Sequence, residues 1–235
     1  ADKENPILEW EKHLAMLKGR MDYLNNKNFK KLIYKNSLGT NLEIELPEGH
    51  KWISGGEKSK SGVEFVANIP TEEIFTMPHR DRVNGTVVSS KPLIYGGSVI
   101  NHFSLTFKDG KVVEYSAQTG EEILGKLLDM DEGARYLGEV ALVEYDSPIS
   151  KSEKVFYNTL FDENASCHLA LGGAYPTCIS GSENQSEEEL KNRGMNNSLT
   201  HEDFMIGTAD MEIIGVDSEG NETLIMKDGN FAFTI

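Results

Sequence analysis

The sequence predicts an α+β fold: a β-rich mixed sheet with hairpins and a few flanking helices. Three observations carry this expectation. Stretches of strand-like alternation outnumber stretches of helical periodicity. Asp109-Gly110 sits between two such stretches, a strong hairpin signal. The helical patterns are few, and each has a readable start.

Taken in order, Pro6 to Leu24 reads as an amphipathic helix. Ile7, Trp10, Leu14, Leu17 and Met21 recur at steps of three and four, and Pro6 suits the first turn. Strand-like sequence follows at Leu32–Tyr34 and Leu42–Leu46, punctuated by Gly49. The Gly- and Lys-rich stretch Ser54–Gly62 reads as a loop. Val63–Ile69 and Gly85–Ser89 read as strands, and Ile100–Phe107 and Lys111–Tyr115 form the hairpin around Asp109-Gly110. Thr119-Gly-Glu-Glu122 is a capping-box pattern before Ile123, Leu124, Leu127 and Leu128. Arg135–Glu144 contains a run, Val140 to Val143, that is apolar on both parities, as in a buried strand. Ser150-Lys-Ser-Glu153 is a second capping-box pattern before Val155, Phe156, Leu160 and Phe161. Ser186-Glu-Glu-Glu189 opens a short helix that Gly194 can close. A second meander fits Met211–Val216 and Glu222–Met226, and Asp228-Gly229 leads into Phe231–Ile235.

Composition narrows the function. The chain has 235 residues, 38% hydrophobic and 26% charged, enough for a well-buried core. No apolar run reaches the ~18 residues of a membrane span, so no membrane partner is expected. Ala1–His13 holds no basic stretch followed by an apolar one, so no secretion signal is read, and a cytoplasmic location is expected. The formal net charge of -15 argues against nucleic acid, which needs clustered cations. It suits cationic ligands such as divalent metals and free amino groups, although for the charge alone plain solubility is the better reading. Two cysteines, Cys167 and Cys178, cannot build a disulfide framework. Asn-x-Ser/Thr sequons start at Asn84, Asn164, Asn184, Asn196 and Asn221 and are read as chance.

Six histidines are candidates for chemistry. His13 and His50 read as surface residues, and His102 lies in a strand. His79, His168 and His201 fall in irregular segments, where functional residues concentrate. His201-Glu-Asp203 places an imidazole and a carboxylate on one side of an extended segment, a ligand pair for zinc, cobalt or manganese that also occurs by chance. His168 precedes a loop, Gly172-Gly-Ala-Tyr175, whose glycines can aim His168 and Tyr175 at one point; a hydrogen-bonded histidine before a Gly-rich connection is the plainer reading. Glu139, at the mouth of the buried strand, must be paired, protonated or metal-bound unless it is a surface strand end. Glu72 and Glu73 stand in a polar segment with His79, Arg80 and Arg82, which reads equally as a first helical turn. Together Glu73, Glu139, His168, His201 and Asp203 amount to about what two divalent cations need when one carboxylate bridges them.

Four segments carry a family resemblance: Asn68-Ile-Pro-Thr-Glu-Glu-Ile-Phe-Thr-Met-Pro-His-Arg-Asp-Arg82, Leu137-Gly-Glu-Val-Ala141, Asn164-Ala-Ser-Cys-His-Leu-Ala170 and Thr200-His-Glu-Asp-Phe-Met-Ile-Gly207. In order and spacing they resemble the thermophilic-type metalloaminopeptidases (aminopeptidase T, aminopeptidase S, PepS type), and the resemblance extends over essentially the whole chain. It implies that Glu73, Glu139, His168, His201 and Asp203 hold two divalent ions, zinc or cobalt first, with manganese or magnesium as alternatives. It implies that Tyr175 stands beside the metals as ligand or transition-state stabiliser, with Glu163 a weaker candidate. It also implies removal of N-terminal residues from peptides, a homodimer, and a chain whose residues 1–235 form a single catalytic portion without the family's N-terminal α/β domain. Glu72, beside Glu73, is the expected general base, and His79, Arg80 or Arg82 the expected supports. The competing readings are a mononuclear Fe(II) oxygenase and a non-catalytic binding or assembly module.

Overall fold

The computed structural model describes residues 4–235. Asn5 opens the first helix, Pro6–Lys27, by accepting a hydrogen bond from the Leu8 N–H at 3.1 Å. Asn28 closes it in the left-handed conformation, φ 47°. Leu17 and Leu24 are buried, whereas Ile7 remains exposed at the near end.

Two antiparallel sheets dominate. The larger runs in the order Lys111–Thr119, Ser98–Lys108, Val83–Val88, Asn41–Glu45, Lys31–Lys35, Glu212–Val216, Glu222–Lys227 and Asn230–Phe231, with Leu93–Tyr95 added to Ser98–Lys108. The smaller runs His201–Met205, His168–Gly172, Leu137–Leu142, Ile74–Thr76 and Ile53–Ser54. Short turns join the antiparallel neighbours Lys31–Lys35 and Asn41–Glu45, Ser98–Lys108 and Lys111–Thr119, and Glu212–Val216 and Glu222–Lys227, whereas longer segments join the strands of the smaller sheet. Asp109 and Gly110 turn the long hairpin with φ 49° and 81°, and Asp228 and Gly229 turn another with φ 50° and 71°. Two successive left-handed residues suit the right-handed strand twist.

Alternation decides which side chains meet. Leu32, Tyr34, Leu42 and Ile44 of the larger sheet share one core with Val140, Leu142, Leu169 and Leu171 of the smaller. Phe103 and Phe204 meet at a centroid distance of 5.5 Å. Burying a side chain of this size contributes ~1.5–3 kcal/mol, so the inner face of the smaller sheet is firmly specified. Its opposite face is left to other residues.

One irregularity matters. Leu137 pairs with Leu171, but Glu139 pairs with Ala170, so Gly138 is an extra residue in the ladder. Strict alternation would put residues 137 and 139 on the same face. The bulge lets Leu137 enter the core while Glu139 faces the other way. A side chain at Gly138 would run into the carbonyl oxygens of Gly172 and Gly173.

Several sequence expectations need correction. Thr119 ends a strand paired with Asn101, and the helix Glu121–Leu128 starts from Gly120 at φ 78° without a side-chain cap. Only glycine turns so sharply from strand to helix at little cost. Ser150 lies inside a helix, Pro148–Lys151, that begins earlier because Ser147 caps it and Pro148 pre-sets its first turn. Of the apolar residues beyond, Leu160 and Phe161 belong to Thr159–Asp162, capped by Asn158, and Val155 and Phe156 precede it outside any helix. Val63–Ile69 contributes only Glu64–Phe65 to a ribbon with Glu57–Lys58, and Val63 and Ile69 stay exposed because no sheet edge receives them. Short strands also interrupt the expected loop Ser54–Gly62. The Ser186 capping box forms as expected, reciprocally with Glu189.

Gly138→Ala is expected to cost about 1–3 kcal/mol through overpacking against the facing backbone. Gly56→Ala, where a Cβ meets nothing within 4 Å, is the matched control. Denaturant unfolding of the two variants checks the pair, and equal midpoints would discount the bulge.

Candidate metal centre

The outward face of the smaller sheet floors a cleft of ≈ 970 Å³. Register puts the candidate ligands there. Ala170 pairs with Glu139 on one side and Asp203 on the other. His168 and Gly172 lie two residues from Ala170 on the same face, and Gly172 pairs with His201. Phe75, opposite Ala141, continues this face toward Glu73. Small residues in the middle leave room above the strands for the longer side chains at the rim.

The groups converge. His168 Nε2 lies 3.1 Å from Glu73 Oε2 and 3.6 Å from Glu139 Oε1. His201 Nε2 lies 3.7 Å from Glu139 Oε2 and 3.5 Å from Asp203 Oδ1. Two triads result, Glu73–Glu139–His168 and Glu139–His201–Asp203, each with ligand atoms within 4.8 Å of one another. Glu139 belongs to both, one carboxylate oxygen facing each.

The imidazoles are oriented from behind. His168 Nδ1 is 3.2 Å from the Ser166 carbonyl oxygen and His201 Nδ1 is 2.7 Å from that of Gly173. A carbonyl only accepts, so each Nδ1 carries a proton and donates. Each Nε2, when the ring is neutral, then offers a lone pair toward carboxylate oxygens. Acceptors face acceptors, and only a proton or a cation satisfies both sides. His168 Nε2 and Asp203 Oδ1 are buried without a hydrogen-bond partner. This donor set, two nitrogens and three carboxylates with second-atom hydrogen bonds to carbonyls, fits divalent metal.

Burial and crowding shift the titration of these groups. Burial raises Glu139 to about 7, with Asp203 and Glu73 adding to the rise. Burial and Glu73 raise Glu163 to about 8. Burial disfavours the charged ring at His201, but Asp203 and Glu139 outweigh it and raise the group to about 9. Glu139 and Glu73 likewise raise His168 well above the usual imidazole range against its burial. Asp203 is lowered: burial opposes this, and His201 and His168 prevail.

Tyr175 lines the cleft, its ring 4.8 Å from that of His201. Burial and the carboxylates raise its hydroxyl to about 12. Glu163 lines the same cleft from the turn Glu163–Ala165 and is 8% exposed. The remaining candidates are placed elsewhere. Glu72 follows the opposite parity to Glu73, and its carboxylate lies 3.6 Å from His13 on the first helix. His79 accepts from the Asp81 N–H and packs on Gly194, Arg80 pairs with Glu132 at 2.7 Å over the Tyr136 ring, and Arg82 pairs with Glu45. None of these lines the cleft. Two histidines read as surface residues are not: His13 bonds to the Thr71 carbonyl at 2.8 Å, and His50 is buried against that of Pro47. The cleft residues Ile53, Phe75 and Leu160 were missed. For Phe75 the signal was its two-residue spacing from Glu73.

A family model described as thermophilic metalloprotease (M29) matches residues 1–231. The chain belongs to this M29 family. It is 56% identical over 234 residues to aminopeptidase 2 of Geobacillus stearothermophilus, covering 100% of this chain and 56% of that protein. It is 50% identical over 232 residues to aminopeptidase AmpS of Bacillus subtilis (strain 168), covering 99% of the chain and 56% of that relative. The M29 chain thus spans little more than half the length of the relatives it matches. The solved structure of wild-type AmpT from Thermus thermophilus superposes with a TM-score of 0.92 at 45% identity, covering 97% of this chain and 56% of that one. A dihydroxypyridine dioxygenase from Pseudomonas putida KT2440 superposes with a TM-score of 0.58 at 13% identity, covering 95% and 63%. That likeness concerns the fold alone. Among the described residues no helix is long and apolar enough to cross a membrane.

The titrations predict a pH effect. A group raised by folding stabilises the fold fully below its unfolded value, and loses that contribution as pH rises through the folded value. His201 spends it between 6.5 and about 9, Glu139 between 4.5 and about 7, and Glu163 between 4.5 and about 8. Asp203, lowered from 3.8, contributes fully above that value and loses its contribution only as pH falls below it, so it adds no slope in this range. Melting of the chelator-treated M29 chain is therefore expected to fall from pH 6.5 to 9, each ~1 kcal/mol lost lowering Tm by about 2–4 °C. Zinc binds the deprotonated forms, so the gap between zinc-loaded and chelated protein widens with pH. A gap that narrows would contradict the assignment.

Proposed function

We propose that residues 1–235 form the catalytic portion of an aminopeptidase that hydrolyses N-terminal residues from peptides with two divalent cations. The observation that carries this reading is Glu139, whose two oxygens face two separate histidine–carboxylate groups. A bridging carboxylate between two cations needs that arrangement. A single-iron centre would use two histidines and one carboxylate and would leave the remaining carboxylates facing one another. The names of the M29 relatives supply the substrate class.

Glu73 and His168 would hold one ion, His201 and Asp203 the other, with Glu139 shared. Imidazole nitrogens favour zinc or cobalt, ahead of manganese or magnesium. When bound, the two cations supply a water acidic near neutrality and a Lewis acid for the scissile carbonyl. The residues of the chain do the rest. Glu163, at the cleft wall beside Glu73, replaces Glu72 as the base: it takes the proton of the attacking water and returns it to the leaving amine. Tyr175 donates its hydroxyl hydrogen to the carbonyl oxygen as charge develops there. Glu202, a carboxylate of the cleft lining not assigned to a cation, attracts the substrate ammonium group.

Zinc content after dialysis is expected to be two ions for the wild type, and Glu139→Ala is expected to lose both together with hydrolysis of an amino-acid p-nitroanilide. An alanine variant that keeps two ions and full turnover would end the proposal. Glu163→Gln is expected to keep its zinc while kcat falls by about 10²- to 10⁴-fold. Glu72→Gln is expected to hold kcat within about 3-fold, because its carboxylate lies beside His13 and does not line the cleft. The reverse ranking of these two variants would restore Glu72 as the base.

A further inference from the structure

Glu73 is the one candidate ligand just outside a ladder: its strand begins at Ile74. Side chains from three other segments hold the backbone there. His13 Nε2 is 2.8 Å from the Thr71 carbonyl oxygen. Ser54 Oγ donates to the Glu73 carbonyl at 2.8 Å. Asn164 Oδ1 accepts from the Glu72 N–H at 2.7 Å, across a separation of 92 residues.

The third tether differs from the others because it starts beside Glu163. Asn164 is 1% exposed. Its Nδ2 donates to the Leu160 carbonyl at 3.0 Å, and its own carbonyl accepts from Ser147 Oγ at 2.9 Å. A carboxamide gives and accepts at once, so one buried side chain ties the turn carrying Glu163 to the peptide leading into Glu73. This burial also leaves the sequon at Asn164 without access. Asn164 does not itself line the cleft, but it adjoins Glu163 and bonds to Leu160, which do.

We propose that Asn164 is a positioning residue, which fixes the Glu73 backbone relative to Glu163 and so sets how tightly the Glu73–Glu139–His168 group holds its cation. This rests on the two-cation reading. Removing the amide leaves the part-buried Glu72 N–H without its acceptor, and the segment moves to find another.

Isothermal titration of the metal-free chain with zinc tests it. The wild type is expected to take two ions, and Asn164→Ala to weaken one of them by about 10- to 100-fold, as for other groups that orient metal ligands. The second ion, held by His201, Asp203 and Glu139, keeps its affinity. Cobalt absorption spectra follow the change of geometry without any turnover. Asn164→Asp, which keeps an acceptor for the Glu72 N–H, is expected to recover most of the loss. Two ions bound to the alanine variant with wild-type affinity would overturn the tether alone. A wild type that binds no zinc would overturn both the tether and the two-cation reading. Hydrogen exchange by NMR needs no variant: the Glu72 amide of the metal-free wild type is expected to exchange at least about 100-fold slower than in an unstructured peptide. Exchange at the unstructured rate would equally overturn the proposal.

Discussion

The arrangement depends on acceptor atoms being held face to face out of water. Two imidazole nitrogens and three carboxylates crowd one face of a five-stranded sheet, and the protons of both rings are committed to carbonyls behind them. Two like charges ~4 Å apart repel by about 4 kcal/mol at an effective dielectric constant of 20. Folding alone does not create such a cluster cheaply, so the rest of the molecule is a frame rigid enough to impose it. The raised titrations of Glu139, Glu163, His168 and His201 are one symptom. The unpartnered Nε2 of His168, fully buried, is another.

The frame works by alternation. Three of the four sheet-borne candidate ligands stand next to a residue of opposite parity that anchors the strand: Val140 after Glu139, Leu169 after His168, Phe204 after Asp203, all within one core. The ligands inherit the precision of that packing. Alternation alone would turn Glu139 inward beside Leu137. The bulge at Gly138 shifts the register once, and the glycines of the facing segment admit it through close backbone approach. A structural irregularity thus has a chemical consequence.

Much of this was legible in the sequence. The Asp109-Gly110 hairpin, the first helix and the Ser186 capping box are local events, encoded within a few residues. The candidate ligands were legible as residue types at suggestive spacings, and the family resemblance united them. Legibility failed where the deciding partner is remote. Glu72 and Glu73 look equivalent until the start of the strand at Ile74 fixes their parity, and His13 looks exposed until the segment at Thr71 arrives beside it. Thr119 has the chemistry of a helix cap, but cross-strand pairing with Asn101 claimed it first. Val63–Ile69 has strand composition without a neighbouring edge, which no local pattern reveals.

The site is also graded in stiffness, and the grading matches the chemistry proposed for it. Glu139 and His168 lie on inner strands with neighbours on both sides, and His201 and Asp203 lie on an outer strand. Glu73 precedes its strand and depends on side-chain tethers, and Glu163 sits on a turn. Groups that hold cations must keep a fixed geometry, because repulsion among them grows with every displacement. A group that accepts a proton from one atom and delivers it to another must turn between them. Glu163, unlike Glu139 and Asp203, lies on a turn rather than in a ladder and, unlike Glu73, is not assigned to a cation, and that freedom suits it to carry the proton. Freedom at Glu163 is compatible with a fixed Glu73 only if the connection between them is made through the backbone and leaves the carboxylate free, and the buried amide of Asn164 makes that connection.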